Sequence, residues 1–439
     1  MNAARSGLEY LNKLPPWNGA GGFDLRCISE VLKRLGNPQD ALPSVHIAGT
    51  NGKGSTSSAI ASILGASGYR VGLNISPHLQ AVNERLVVDG LPVSDQFLGE
   101  FAYEVRNTAA KAMVDLSFHE AITATAFLGF RESGCEWSVM EVGLGGRLDA
   151  SNVISRPAAT AIVTIDYDHQ AILGNSLAEI AAEKAGIVKP GSPMISGFLP
   201  KEAANVVASK ASGVPLFRFG HEYGSVPRPQ IGPATFGYWD KSYGQGVGDL
   251  FQYSTPLPGL HQGHNLAVAI KLGLTVGMSP QACKAGVEGV FWPGRLERIE
   301  TLGRPFVIDC AHNTAGIGSF ISFLDAQGYR GIDLTFGVLD TKNWEPMIEA
   351  LRPYVKTWRL LRPDSERALP QETLRQGIEV SGNGIRVLSY GSDYERCLRE
   401  ATEAHDGQPA FVTGSMYMIG RLREMMSVPT KPLWKRVVA

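Results

Sequence analysis

The stretch that decides the fold is residues 44–55, which read SVHIAGTNGKGS. Its first five residues form the short apolar pattern of a buried strand, and the small residues that follow the loop favour a helix up to Ala66. A glycine-rich loop between a strand and a helix N-terminus lets backbone N–H groups converge on an anion. Lys53 adds a cation for the phosphates, and Ser55 or Thr56 adds a hydroxyl for the phosphate or its Mg²⁺. This segment predicts a phosphate-binding loop.

The loop departs from the general phosphate-loop pattern of Gly, four residues and Gly-Lys-Ser/Thr. Ile47 stands where the first glycine would be, and Gly54 separates Lys53 from Ser55. Taken without its context, GKGS is also compatible with an ordinary glycine turn. The strand before the loop and the helix after it favour the phosphate-binding interpretation.

Outward from this loop, apolar runs typical of strands alternate with segments of helical spacing. The pattern predicts an α/β fold in which a P-loop parallel-sheet ATPase domain occupies residues 1–293. Residues 215–258 are rich in Gly, Pro and aromatics and predict a small β-rich excursion. The turn-forming stretch 291–295 marks the boundary, and the α/β alternation restarts beyond it. Residues 294–439 are therefore predicted to form a smaller C-terminal α/β (Rossmann-like) domain.

Composition excludes several classes of partner and location. The formal net charge is −1, from 41 basic and 42 acidic residues, so neither a nucleic acid nor an anionic membrane has electrostatic support. The five cysteines are scattered without a CxxC, which favours free thiols in a reducing cytoplasm. No apolar run reaches the roughly 18 residues that a membrane span needs. We expect a cytoplasmic, monomeric enzyme that acts on small molecules.

Candidate metal ligands follow predicted strands, where open α/β sheets place their ligand sites. Glu141 ends one strand, Asp168 and His169 follow another, and Ser76 follows a third. Mg²⁺ prefers oxygen ligands, commonly one or two carboxylates together with substrate phosphates. The loop after Glu141 carries three glycines that would permit close ligand approach and would leave Arg147 and Asp149 exposed. Each of these residues alone is also compatible with an ordinary surface position.

Taken together, the motifs resemble those of the folylpolyglutamate synthase and dihydrofolate synthase family of the Mur-ligase superfamily. The matches run in order from His46 to Tyr417 and cover most of the chain. The matching segments are HIAGTNGKGS (46–55), SPHL (76–79), NERL (83–86), FHEAIT (118–123), EVGLGGRLD (141–149), DH with LG (168–169 and 173–174), EKAGIVK (183–189), GLHQGHN (259–265), WPGRLE (292–297), DCAHN (309–313), FGVLDTK (336–342) and TGSMY (413–417).

The resemblance implies a ligase that uses ATP and two Mg²⁺ ions to join L-glutamate to a folate-type carboxylate. It assigns nucleotide binding to ten residues: Thr50, Asn51, Gly52, Lys53, Gly54, Ser55, Thr56, Asn265, Arg295 and Asp309. It assigns metal binding to four: Ser76, Glu141, His169 and a carbamylated Lys184. It assigns catalytic roles to Lys53, Lys184, His169 and His312. Carbamylation would turn a lysine into an oxygen-donor anion, and it requires an amine deprotonated by burial or by its neighbours.

The resemblance also implies two groups of substrate residues. Arg85 and Ser415 would contact the glutamate. The pterin-bearing substrate would lie near Phe118, Thr123, Arg147, Leu148 and Asp149. Four positions depart from the family pattern: His119, Cys310, Thr314 and Thr341. Because His119 replaces an aromatic near the expected pterin, the choice among dihydropteroate, reduced folates or both stays open.

Two alternatives also remain at this point. The first is a Mur-type amide ligase that joins an amino acid to a non-folate carboxylate. The second is a nucleotide-dependent binding or regulatory protein without ligase turnover, against which Lys53, Glu141, His169 and Lys184 argue.

Overall fold

The computed structural model describes residues 2–15, 24–231, 234–244, 248–301, 303–379, 385–404 and 407–437. It divides into two compact units. Unit 1 comprises Met1–Pro256, Gln262–Phe291 and Lys431–Ala439, and unit 2 comprises Leu257–His261 and Trp292–Thr430. No helix among the described residues is both long enough and apolar enough to cross a bilayer.

The elements of residues 3–289 are a mixture of strands and helices. They are α1 (Ala3–Lys13), α2 (Arg26–Arg34), β1 (Ser44–Ala48), α3 (Lys53–Ala66), β2 (Val71–Asn74), β3 (Leu86–Val88), β4 (Leu91–Pro92), α4 (Asp95–Ala112), α5 (Phe118–Glu132), β5 (Trp137–Glu141), β6 (Ala159–Ile162), α6 (Gln170–Leu173), α7 (Leu177–Lys184), β7 (Met194–Ser196), α8 (Lys201–Lys210), β8 (Leu216–Arg218), β9 (Tyr223–Pro227), β10 (Thr235–Asp240), β11 (Phe251–Ser254), α9 (Leu260–Thr275) and α10 (Pro280–Gly289).

The main sheet of unit 1 has the order β4-β3-β2-β5-β1-β6-β7-β8 in the described residues. β1 lies inside it, parallel to β5 and β6, and all five of its residues are buried. The pairings of β2 with β3 and of β3 with β4 are antiparallel. Since parallel strands place their carboxyl ends at one edge, the loops after β2, β5, β1 and β6 are brought together there.

The helix that follows the loop, α3, is enclosed by its neighbours because its side chains are small. Its residues from Gly54 to Gly65 are buried. A Cβ on Gly286 of α10 would lie 2.5 Å from the Cα of Ile63, so glycine is needed for the two helices to meet. The Ser62 hydroxyl donates to the Gly286 carbonyl at 2.7 Å. The run of Ser, Ala and Gly in this segment therefore reflects close helix packing.

Unit 2 is also of the α/β class, and its sheet has the order β12-β13-β17-β14-β15-β16 in the described residues. β12 pairs antiparallel with β13, and the remaining pairings are parallel. Its elements are β12 (Glu297–Thr301), β13 (Arg304–Ile308), α11 (Thr314–Gln327), β14 (Ile332–Phe336), α12 (Glu345–Leu351), β15 (Val355–Leu360), α13 (Gln371–Glu379), β16 (Arg386–Ser389), α14 (Tyr394–Glu403), β17 (Ala410–Thr413) and α15 (Met416–Met425). The predicted α/β class is confirmed for both units.

The predicted β-rich excursion within residues 215–258 is present as a small antiparallel sheet of order β11-β10-β9. A buried ion pair fixes it to α9, with the Lys271 Nζ 2.8 Å from an Asp240 carboxylate oxygen. The Lys271 ammonium also lies 4.1 Å from the centre of the Phe217 ring. Residues 232–233 and 245–247 of this stretch lie outside the described residues.

The structure corrects two predicted boundaries. α9 begins at Leu260, six residues before the predicted start at Leu266. Gly263 lies inside this helix, where the absence of a side chain makes room for the Phe236 ring. The division predicted at residues 293/294 misses the return of the C-terminal segment to unit 1. There the Leu433 carbonyl accepts from Phe291 N–H and the Leu433 N–H donates to the Gly90 carbonyl, each at 2.7 Å.

Candidate active site

The loop after β1 is fixed to the segment that follows β6. The N–H groups of Thr50 and Asn51 donate to the Thr164 carbonyl and hydroxyl, each at 2.9 Å. The Thr50 hydroxyl is 3.1 Å from both the carbonyl and the N–H of Asp166. Single-sequence reasoning missed Thr164, because a threonine after a strand has no distinctive pattern. These bonds set the loop's shape before any ligand arrives.

Gly52 is the turn point where the loop enters α3. Its φ is 79°, in the left-handed region that favours glycine, and it offers no side-chain cap to the helix. A Cβ at this position would lie 2.3 Å from the Asn265 side-chain oxygen. The first N–H groups of a helix have no acceptor within the helix, so those of Lys53, Gly54 and Ser55 can face an anion. The structure thus brings the predicted nucleotide residues 50–56 and Asn265 together.

Two lysine side chains converge on one carbonyl of this loop. Lys53 Nζ donates to the Gly49 carbonyl at 3.1 Å and to the Thr50 carbonyl at 3.3 Å. Lys184 Nζ, from the end of α7, donates to the same Gly49 carbonyl at 3.0 Å. Burial, followed by the nearby Lys53 charge, lowers the pKa of Lys184 to about 7. A substantial fraction of Lys184 is therefore neutral near physiological pH.

The glycines of the segment 142–149 allow the protein to pack against itself. A Cβ on Gly146 would lie 2.8 Å from the carbonyl oxygens of Glu183 and Lys184, and one on Gly143 would lie 2.6 Å from the His119 ring. The prediction that these glycines make room for ligand was therefore wrong for Gly143 and Gly146. Gly146 lets this loop pack against the end of α7, which carries Lys184, while Gly143 makes room for the His119 ring.

Arg147 is exposed as predicted, and it is paired. Its guanidinium Nε lies 3.0 Å from a Glu183 carboxylate oxygen, and the backbone N–H of Arg147 donates to the Glu183 carbonyl at 2.8 Å. Leu148 beside it is half-buried. Arg147 consequently joins the loop to the turn of α7 that carries Lys184.

Asp149 was predicted to be exposed and to contact substrate, and its predicted exposure was wrong. Its side chain is 2% exposed, and one carboxylate oxygen lies 3.0 Å from His119 Nε2. That oxygen also accepts from Leu144 N–H at 3.0 Å, while the other accepts from the N–H and hydroxyl of Ser151 at 3.0 and 2.5 Å. Burial raises the pKa of Asp149, but His119 and these hydrogen bonds outweigh it and hold the pKa well below its usual range. Asp149 organises the loop from within.

A polar chain continues from Asp149 into the sheet. The Ser151 hydroxyl lies 2.8 Å from Nε2 of His46, a fully buried residue of β1. Burial lowers the pKa of His46 to about 4, so this imidazole is neutral. His119, the departure from the family motif, thus connects the start of α5 to the strand that delivers the phosphate loop.

We expect Asp149→Asn to lower the free energy of unfolding by about 3 kcal/mol, because it removes a buried carboxylate that accepts hydrogen bonds from Leu144 and Ser151 and contacts His119. Urea titration followed by tryptophan fluorescence measures this. Since the folded pKa is depressed, the stabilisation is present above the ordinary carboxyl pKa and is lost as the pH falls toward the folded value. Asp115→Asn, an exposed change, is the matched control. Equal stability of the two variants at pH 7 would refute the role given to Asp149.

The predicted metal ligands sit on neighbouring strand ends. Glu141 ends β5 beside Ile47 of β1, and it is buried. Ser76 follows β2 and is half-buried. His169 follows β6 with φ 51°, and its side chain is 47% exposed. Among the residues that the structure describes, no three His, Cys, Asp or Glu side chains group as a metal site. The buried Glu141 carboxylate at this edge suits an ion that keeps waters and phosphate oxygens as further ligands.

Two predicted substrate residues lie against each other. The Arg85 guanidinium lies 5.0 Å from the centre of the Phe118 ring, and its Nε donates to Nδ1 of His78 at 3.0 Å. Burial and the Arg85 charge lower the pKa of His78 to about 4, so His78 accepts as a neutral imidazole. Thr123 of α5, unlike Arg85 and Phe118, is fully buried, and its hydroxyl has no hydrogen-bond partner in the described part of the chain. The predicted position of Thr123 near the substrate therefore stays a prediction, with this side chain in the interior of unit 1.

Unit 2 gathers its predicted residues at the ends of the adjacent strands β13 and β17. The Asp309 carboxylate accepts from the N–H groups of Leu296 and Ala311, each at 2.9 Å, and burial raises its pKa. His312 Nδ1 lies 2.9 Å from the Cys310 carbonyl. Ser415 is 2% exposed, and its hydroxyl lacks a partner among the described residues. Arg295 Nη1 donates to the Gly294 carbonyl at 3.1 Å.

The departures of unit 2 from the family pattern fit the structure. Burial raises the pKa of the Cys310 thiol to about 11, so the side chain is a neutral buried group where the family has glycine. Thr314 is the first residue of α11, a position that suits Thr as well as Pro, and the Asn313 side chain caps this helix. Thr341 is exposed.

Comparison with known proteins identifies the family. The Mur ligase middle domain matches residues 47–273, and the glutamate ligase domain of Mur ligases matches residues 294–416. A folylpolyglutamate synthase of Lacticaseibacillus casei is 33% identical over 95% of this chain and 97% of its own. A dihydrofolate synthase/folylpolyglutamate synthase of Bacillus subtilis is 30% identical over 91% of this chain and 94% of its own.

Solved structures agree over nearly the whole chain. The Escherichia coli FolC structure in complex with DHPP and ADP has a TM-score of 0.85 at 26% identity and covers 97% of this chain and 98% of that one. The Mycobacterium tuberculosis folylpolyglutamate synthase structure with ADP and AMPPCP has a TM-score of 0.84 at 28% identity, covering 98% and 100%. The chain belongs to the Mur ligases, and within them to the folylpolyglutamate and dihydrofolate synthases, which are ATP-dependent ligases.

Proposed function

We propose that this protein joins the amine of L-glutamate to the carboxylate of a folate-type acid at the expense of ATP. The observation that carries the proposal is the convergence of Lys53 and Lys184 on the Gly49 carbonyl, at the N-terminus of α3. Of the two, Lys53 supplies positive charge, and the first turn of α3 supplies backbone N–H groups where a polyphosphate would bind. The relatives named above supply the substrate class.

The reaction balances as two displacements. A carboxylate oxygen of the acid attacks the γ-phosphorus of ATP, ADP leaves, and an acyl phosphate forms. The glutamate amine then attacks the acyl carbon and loses a proton, and phosphate leaves with one oxygen from the original carboxylate. Lys53 and the first N–H groups of α3 hold the phosphates and stabilise the charge that develops on them.

Mg²⁺ fits the strand-end residues. Glu141 is a buried carboxylate at the end of β5, beside the strand that carries the phosphate loop. We propose that Glu141, Ser76 and His169 hold two ions, together with the carbamylated side chain of Lys184. When bound, Mg²⁺ neutralises phosphate charge and so favours attack on the γ-phosphorus.

Carbamylation of Lys184 is supported by its surroundings. The side chain is buried and its pKa is lowered to about 7, so a neutral amine can attack CO₂ and form a carbamate with loss of a proton. The neighbouring Lys53 ammonium would stabilise the resulting anion. The segment 142–149 packs closely against the end of α7 at Gly146, which holds the Lys184 side chain at the phosphate loop.

The remaining predicted residues bind substrates under this proposal. Arg85, beside Phe118, would pair with the glutamate carboxylate, and the Phe118 ring would contact the folate-type acid. In unit 2, Asp309 and Arg295 would contact the nucleotide, Ser415 would donate its hydroxyl to glutamate, and His312 would assist the reaction at the phosphates.

The proposed substrates include both dihydropteroate and reduced folates, because the relatives are named as dihydrofolate synthases and as folylpolyglutamate synthases. The test is product mass spectrometry after incubation with ATP, Mg²⁺ and L-glutamate, with dihydropteroate and tetrahydrofolate in separate reactions. An ATP-dependent gain of one glutamate on either compound supports the ligase and identifies its step. Successive gains on tetrahydrofolate would establish polyglutamylation. Absence of any gain on both, from folded protein that binds ATP, would refute the folate assignment.

A further inference from the structure

The turn that carries Arg295 has an uncommon backbone conformation. It ends at Glu297, the first residue of β12, and two of its residues have positive φ, 67° at Gly294 and 49° at Leu296. For leucine this left-handed conformation is strained, because its Cβ comes too close to the following carbonyl oxygen. Leu296 is 3% exposed and packs in the core of unit 2. Strain of this kind persists only where the surrounding structure holds it in place.

Hydrogen bonds fix this turn along its backbone. The Gly294 carbonyl accepts from Cys310 N–H at 2.9 Å, and the Leu296 N–H donates to the Asp309 carboxylate at 2.9 Å. The Gly294 N–H donates to a Glu297 carboxylate oxygen at 2.8 Å. The turn is therefore held by the segment after β13 and by its own glutamate.

The Glu297 side chain is held in turn by Arg423 of α15. Its two carboxylate oxygens accept from Arg423 Nε and Nη2, each at 2.9 Å. The two side chains are only 8% and 6% exposed. The oxygen that accepts from Arg423 Nε is the same one that accepts from Gly294 N–H. Since a bidentate pair has a specific geometry, Arg423 fixes the acceptor on which the turn depends.

We propose that Arg423 is a positioning residue for Arg295, which it directs toward the nucleotide phosphates by fixing Glu297 and the strained turn. The inference rests on the proposed use of ATP and on the nucleotide contact proposed for Arg295. A long side chain loses rotamer freedom when it binds a ligand, and a fixed backbone lowers that cost. Without Arg423, Leu296 would relax out of its left-handed conformation and Arg295 would lose its direction.

The experiment is isothermal titration of the full-length protein with the ATP analogue AMPPCP and Mg²⁺. Arg295→Met is expected to weaken binding by about 10- to 100-fold, as for the loss of a hydrogen bond to a charged group. Arg423→Met should weaken it by about 5- to 30-fold, because Arg295 is kept but misdirected. Added to Arg295→Met, Arg423→Met should cause less than about a twofold further loss, since coupled residues are not additive.

Two further variants separate positioning from stability. Glu297→Met combined with Arg423→Met replaces the buried ion pair by apolar side chains, a change that commonly preserves stability. Its AMPPCP binding should stay as weak as that of Arg423→Met, because the Gly294 N–H still lacks its acceptor. Arg359→Met is the matched control. It breaks another buried ion pair of unit 2, with Asp333, and should bind AMPPCP within about twofold of the unmodified protein.

Unchanged AMPPCP affinity in Arg423→Met would overturn the inference. So would an equal loss from Arg423→Met whether or not Arg295 is present, or a loss of the same size in Arg359→Met. The titrations contain neither the acid nor glutamate, so an error in the assigned acid would leave their result unchanged. Failure of the unmodified protein to bind AMPPCP would refute the use of ATP, and the inference with it.

Discussion

Lys53→Met is expected to lower the rate of ATP-dependent glutamate addition by about 100- to 1000-fold, the range seen when a single charge-stabilising donor is removed. Lys53 Nζ is held 3.1 Å from the Gly49 carbonyl at the start of α3, where the transferred phosphate carries its charge. Methionine preserves the aliphatic length of the side chain and removes the cation. The measurement is ADP release coupled to glutamate addition, in protein shown by circular dichroism to be folded.

The control for this variant is Lys201→Met. Lys201 is the first residue of α8, as Lys53 is of α3, but it is exposed. It should keep nearly full activity. If Lys53→Met retained more than half of the rate, the phosphate-binding role of the loop lysine would have to be abandoned.

Lys184→Met is expected to lower the rate by a similar factor, about 100-fold or more, because it removes both the buried amine and any carbamate formed on it. In the unmodified protein, activity should fall when dissolved CO₂ is removed and return when bicarbonate is added. The pKa of Lys184 is lowered to about 7, so the fraction of Lys184 that is a neutral amine increases as the pH rises through 7. Carbamylation should increase in the same direction, and ¹³C-labelled bicarbonate should give a carbamate resonance that the variant lacks.

Lys189→Met is the matched control for Lys184. Lys189 belongs to the same segment and is partly buried, and its Nζ donates to the Asn152 carbonyl at 3.2 Å, away from the phosphate loop. It should retain activity and the carbamate resonance. Full activity of the unmodified protein without CO₂, together with no labelled carbamate, would show that Lys184 works as an unmodified amine.

The sequence was sufficient for the parts of the fold that depend on short-range pattern. β1 is buried along its whole length, so its pattern stood out, and the small residues after the glycine loop favoured a helix. The α/β alternation and the β-rich excursion were predictable for the same reason. The start of α9 was missed because Gly263, which makes room for Phe236, interrupts the helical pattern.

The site was predicted less completely, because a residue type does not reveal what it faces. Gly143 and Gly146 suggested ligand approach, but the space they leave is filled by His119 and by the backbone of α7. Asp149 was predicted to be exposed, but it is buried against Leu144, Ser151 and His119. The first two are close to it in the sequence, whereas His119 lies thirty residues away. Contacts over long separations have no signature in one sequence.

A buried network in unit 2 was missed for the same reason. The Asp333 carboxylate pairs with Arg304 at 3.2 Å and with Arg359 at 2.8 Å. The Arg359 guanidinium also contacts the Tyr390 hydroxyl, which donates to Glu400 at 2.7 Å. The elements that carry these residues are distant in the sequence, so no local pattern connects them.

The most direct test of the central claim, that ATP activates the acid as an acyl phosphate, is oxygen-isotope transfer. The folate-type acid is labelled with ¹⁸O in its reacting carboxylate and incubated with ATP, Mg²⁺ and L-glutamate, and the released phosphate is examined by ³¹P NMR or mass spectrometry. One ¹⁸O atom per amide bond formed should appear in inorganic phosphate. Glutamate addition with no label in the phosphate would contradict the account.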